Sequence, residues 1–157
     1  MPPLAPEEIL DHVLALDPAL TLVPYYGERS IFYNPGGAAP LGVILVSVKE
    51  RDGPNDRRSR LDRDGVYRFA LGLRPDTFAG RFGAVPPRPP KGGAVDVLGH
   101  DPSRVGALSP HPVYAWMSWA QILSPTRRRF DALAPLIGES LDLARGKWER
   151  NHAHRGH

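Results

Sequence analysis

Between His111 and Pro125 the chain reads HPVYAWMSWAQILSP, with Tyr114, Trp116 and Trp119 inside six residues and a proline near either end. This run constrains the fold most, because so much aromatic surface must find cover on folding. Read with period two, one face carries Val113, Ala115, Met117, Trp119 and Leu123, and the other carries Tyr114, Trp116, Ser118 and Ile122. Both faces are mostly apolar, so the spacing predicts a strand over 111–125 covered on both sides. Trp116 and Trp119 then fall on opposite faces of the sheet.

The rest of the chain supplies partners for such a strand. Residues 6–16 have Pro6 at a first turn, Glu7 and Glu8 behind it, and Ile9, Val13 and Leu16 at helical spacing. Residues 20–24 and 30–34 read as strands around a turn at Gly27, and GVILVSVK over 42–49 reads as a central strand. In VYRFALGL, 66–73, alternation sends Tyr67, Phe69, Leu71 and Leu73 to the core and leaves Arg68 on the opposite face. A short helix is expected over 75–82. A closing helix is expected over 130–151; Pro135 fits if it starts near Asp131, in the first turn, and otherwise marks a kink.

Two connections are long. Residues 50–65 hold five acids and five arginines, and read as a solvent-facing hairpin loop. Residues 84–110 are rich in proline and glycine, and read as partly polyproline-like and partly mobile. Short turns between strands imply antiparallel pairing. The expected fold is therefore an α+β two-layer sandwich: about five antiparallel strands, an N-terminal helix, a short middle helix and a long C-terminal helix. It forms one domain over 1–151, followed by a polar tail over 152–157.

Composition narrows the function classes. The 157 residues carry a net charge of +3, no cysteine, and lysine only at 49, 91 and 147. The missing cysteine removes disulfides, thiolate metal sites and a cysteine nucleophile. No apolar run approaches the ~18 residues of a membrane span, and the first residues do not read as a secretion signal. These features predict a cytoplasmic protein with no cofactor. Hydrolase, nucleotide-loop, dinucleotide and zinc motifs are all missing.

The segments SRLDRDGVYRF (59–69), FAGRFG (78–83), HPVYAWMSWAQILSP (111–125) and LARGKWER (143–150) resemble a bacterial family of small uncharacterised proteins, domain of unknown function 6194. The layout is more distantly similar to the YjbR/MmcQ-like proteins, which implies a CyaY-like α+β fold. That distant family's late strand carries basic residues and a Lys-Cys pair accompanies it. HPVYAWMSW lacks both, which weakens any DNA-binding role the likeness would imply.

Three constellations are candidates for a site. His111, at the start of the aromatic run with Tyr114 close behind, is either a ligand group at the mouth of an aromatic pocket or a histidine bonded locally to fix the strand. Trp116 is either a stacking surface for planar ligands or core. Arg60, Asp62 and Arg68 make an anion-binding fork if Asp62 orients one arginine, and otherwise a solvated ion-pair network. Arg127–Arg129 read as a solvated loop, and His152, His154 and His157 as tail. No residue set reads as catalytic or metal-binding. The lead expectation is a non-catalytic domain for a small anionic or planar ligand, ahead of a weak DNA- or nucleotide-binding module and an enzyme of unrecognised class.

Overall fold

The computed structural model describes residues 2–25 and 27–152. Helix α1, Pro6–Leu14, starts with proline where no backbone donor is needed. Strands β1, Leu20–Tyr25, and β2, Glu28–Tyr33, form a hairpin, and β3, Val43–Lys49, pairs with β2. After the 50–67 connection comes β4, Arg68–Gly72, and then α2, Pro75–Phe82. A long connection leads to the two-residue β5, Ser109–Pro110, and to β6, Trp119–Leu123. The chain closes with α3, Arg127–Asp131, and α4, Ala134–His152. All pairings are antiparallel and the sheet order is β1-β2-β3-β4-β6-β5. The α+β sandwich is thus as expected, with six strands rather than about five.

One face of the sheet meets α1, α3 and α4. Alternation delivers Phe69 and Leu71 from β4, and Ala120 and Ile122 from β6, against Ile9, Val13, Phe130, Ile137 and Leu141. Each of these is at most 5% exposed, and full burial of such a side chain contributes ~1.5–3 kcal/mol. Helix α2 touches this core only through its partly buried Phe82. Its Phe78 packs against Val95 and Ala115 in a second small cluster. No helix among the described residues is long and apolar enough to cross a membrane.

Five expectations are corrected. The aromatic run is not one strand. Its first half makes a turn, with a 3-10 helix at Ala115–Met117 and Ser118 in the left-handed region at φ 67°, and only 119–123 is strand. Trp116 and Trp119 therefore do not belong to one ladder. The 50–65 loop is not simply solvent-facing: Ser59 and Leu61 are buried to 0% and 1% exposure. The 84–110 connection lies against the sheet, through the buried Val95 and a bridge from Val105 to Leu123. Finally, Arg127–Arg129 are helical, because the Thr126 Oγ1 accepts from the Arg129 amide and caps α3. The helix expected over 130–151 breaks between Asp131 and Ala134, so Pro135 falls in the first turn of α4. Residues 153–157, with His154 and His157, lie outside the described residues.

Candidate functional site

The sheet face away from α1, α3 and α4 is covered by the two long connections, and it is polar. Register aligns one row of side chains across it: Ser30 with Ser47, Ser47 with Ala70, Ala70 with Gln121, and Gln121 with Ser109. The next row contains Lys49 opposite Arg68. A β-bulge makes the face continuous on β3. Ile31 faces Val46 and Phe32 faces Ile44, so Leu45 is the extra residue. The resulting change of phase lets Ile44 and Ser47, three apart, open onto one cavity.

Arg68 is fully buried, and its guanidinium is bonded by the loop above it and by β6 beside it. Nη1 and Nη2 donate to the two carboxylate oxygens of Asp56 at 2.5 and 2.7 Å. Nη2 also donates to the Ser59 hydroxyl at 2.9 Å, and Nε to the Gln121 carbonyl at 2.6 Å. The Gln121 amide in turn donates to the Pro102 carbonyl. Lys49 Nζ reaches Asp56 at 3.0 Å and Glu28 at 4.0 Å. Burial alone would raise the Asp56 carboxyl. The bonds and charge of Arg68, with Lys49 beside it, instead hold it well below the usual carboxylate range. This network is a rivet between loop and sheet, with no fork left for a ligand.

His111 lies beside the rivet and is 1% exposed. Its Nδ1 accepts the amides of Val113 and Tyr114 at 3.0 and 3.1 Å, which caps the turn that replaces the expected strand. A nitrogen accepting two N–H bonds carries no proton, so the neutral ring has its proton on Nε2. Burial, reinforced by the charge of Arg68, pushes the His111 pKa well below its ordinary value. The imidazole is thus a fixed neutral donor near neutral pH.

The same ring lines a cavity of about 290 Å³. The buried residues Ser30 and Ser47 line it beside His111. Ile44 and Trp119 add apolar surface, and Glu28 is its one charged lining residue. Ser30 Oγ is buried and has no hydrogen-bond partner among the described residues. Tyr25, Tyr114 and Met117 line the same cavity at 38%, 43% and 48% exposure. The Tyr114 ring lies 5.1 Å from the His111 ring, and burial followed by the Glu28 and Asp56 charges raises its pKa.

The candidate residues therefore separate. His111 and Tyr114 meet at this cavity, with Trp119 rather than Trp116. Trp116 lines a different cleft, where Arg88 stacks over its ring at 4.5 Å. Arg68 lies buried beneath the loop, oriented by Asp56 and not by Asp62. Asp62 instead accepts the Asp52 amide at 3.0 Å and faces a groove near Pro3 and Tyr67. Arg60 is exposed at a left-handed turn, φ 55°, where its carbonyl accepts from Arg63. The expected Arg60–Asp62–Arg68 fork does not form.

Sequence reasoning missed Asp56, Ser59, Gln121, Ser30 and Ser47. A signal existed for one pair. Arg68 is the one charged residue in 66–73 and Gln121 the one polar residue in 119–123, and they meet on adjacent strands. Among the described residues no group of three or more His, Asp or Glu side chains is placed to hold a metal.

No curated protein and no solved structure matches this chain. A family profile does match, over residues 4–153. On that match the chain belongs to the family described as "Family of unknown function (DUF6194)".

Proposed function

We propose that this domain binds a small ligand non-catalytically, holding its planar heteroaromatic ring in the cavity between β2, β3 and the 111–118 turn. One observation carries the reading: Ser30, whose buried Oγ has no hydrogen-bond partner among the described residues, is one of the residues around a cavity whose other lining includes exposed aromatic surface. An unsatisfied buried polar group costs ~1–3 kcal/mol, so it persists where a ligand or a function needs it. Ser30 and Ser47 offer hydroxyls that both donate and accept, and His111 offers one N–H. Tyr25, Tyr114 and Trp119 offer ring faces.

The planar choice is favoured over an anionic one. The cavity lining has a carboxylate, Glu28, and no cation, while Arg68 is already committed to Asp56. A volume of about 290 Å³ sits at the small end of ligand sites, which run from ~300 Å³ upward. It suits one or two fused rings. The order of N-terminal helix, antiparallel sheet and closing helix supports a distant relation to the YjbR/MmcQ-like proteins, and with it a bacterial, cytoplasmic setting.

A thermal-shift screen of the full chain against metabolites tests the proposal. Planar heterocycles should raise the melting temperature, and a ligand at 100 times its Kd stabilises by ~2.7 kcal/mol. The shift should shrink in Tyr114→Ala. Stabilisation by polyanions alone, unchanged in that variant, would sink the reading.

A further inference from the structure

Tyr114 belongs to two concavities. It lines both the 290 Å³ cavity and a larger cleft of about 730 Å³ between the 88–95 segment and the 111–118 turn. The two differ sharply in charge. Among the described residues the cavity is lined by one carboxylate and no cation, whereas the cleft is lined by Arg58, Arg88 and Lys91 and by no carboxylate.

The cations are also partly positioned. Arg58 Nη1 donates to the Val95 and Pro112 carbonyls at 2.8 and 3.2 Å, which anchors one nitrogen of its fork. Its other nitrogens are not used by these two bonds, and a guanidinium presents its donors in a fixed plane. Arg88 is held over the Trp116 ring at 4.5 Å. Lys91 adds a point charge in an exposed stretch beside Gly92 and Gly93. Three cations with no ion pair among the described residues, two of them held by other groups, make a site for a multiply charged oxyanion.

We infer that the ligand is a planar base bearing a phosphate, its ring in the cavity and its phosphate in the cleft across Tyr114. This inference rests on the ring-binding reading of the cavity. A nucleoside monophosphate has that chemistry: a flat ring with donors and acceptors at one end, a short polar spacer, and a dianionic group at the other. The hydroxyls of Ser30 and Ser47 with the His111 N–H read the ring edge. Arg58, Arg88 and Lys91 take the phosphate oxygens. The Tyr114 side chain covers the spacer between them.

Calorimetry on the full chain tests this with matched probes: each of the common nucleoside monophosphates, its nucleoside, and inorganic phosphate. A monophosphate should bind roughly tenfold or more tightly than its own nucleoside. Replacing the exposed cations, R88Q with K91Q, should erase that gap while changing nucleoside affinity by less than about twofold, as expected for separable sites. If a nucleoside binds and its phosphate adds nothing, the inference falls and the ring-binding cavity stands. If inorganic phosphate binds as well as any monophosphate, and Tyr114→Ala changes neither, the ring-binding reading falls too. Absence of binding by every nucleotide probe overturns the inference, while the wider metabolite screen still judges the cavity.

Discussion

The two faces of one sheet are built on different principles. On the helix face Phe69, Leu71, Ala120 and Ile122 meet α1, α3 and α4 through apolar contact. On the loop face their immediate neighbours Arg68 and Gln121 meet the 50–65 and 84–110 connections through specific bonds. Apolar burial is non-directional and tolerates repacking. A buried ion pair does not, because removing one partner strands a charge. The helix face therefore supplies stability broadly, and the loop face fixes where the loops, and hence the cavity walls, must sit.

That contrast can be broken most severely at Asp56. Asp56→Ala leaves Arg68 charged, buried and half-partnered, and should cost ~3–5 kcal/mol in chemical denaturation. A smaller test compares conservative exchanges on the two faces of β4. Arg68→Lys keeps the charge but loses the fork and should cost ~1.5–3 kcal/mol. Leu71→Met, three residues along on the helix face, should cost less than ~1.5 kcal/mol. Equal costs at the two positions would contradict the distinction.

Acid provides the next test. His111 is folded around a neutral ring, so its folded pKa lies below the unfolded value near 6.5. Below that pH the unfolded chain binds a proton that the folded chain refuses. Stability should fall by up to ~1.4 kcal/mol per pH unit below about 6.5 for this group. Asp56, depressed for the opposite chemical reason, adds its loss only at lower pH, as its unfolded carboxyl begins to protonate. His111→Gln should flatten the first slope and leave the second, which pH titrations of denaturation midpoints will show. The smallest effect is expected at Arg60. It is exposed and shares nothing with Arg68, so Arg60→Ala should change stability by less than ~0.5 kcal/mol.

The same contrast explains what the sequence made legible. Helix-facing residues advertise themselves by period, so Phe69 and Leu71, and Ile137 and Leu141, were readable as core. The fold class followed from them. Loop-face residues carry no period. Asp56 is one acid among five in its loop, and nothing local distinguishes it from Asp62. Only the register of β3 against β4, together with the path of the loop, brings it over Arg68. The aromatic run misled for a related reason. Its alternation is that of a strand, but His111 bonds the amides of Val113 and Tyr114 and Ser118 turns left-handed, so the chain reverses before β6 begins. His111 and Tyr114 could be nominated from sequence. Ser30 and Ser47 could not, since a serine in a strand looks alike whether it faces solvent or a cavity.

The hydroxyl of Ser30 now separates the account from its alternatives. If Ser30 Oγ is kept for a ligand, removing it should help the empty protein and harm the complex. The decisive measurement is the melting temperature of Ser30→Ala beside the wild type, each alone and with a planar ligand from the screen. The account predicts that the empty variant melts at or above the wild-type temperature, because an unpartnered buried hydroxyl has gone. It also predicts a smaller ligand-induced shift in the variant. A variant that melts lower when empty, yet responds to the ligand as fully as the wild type, would contradict it.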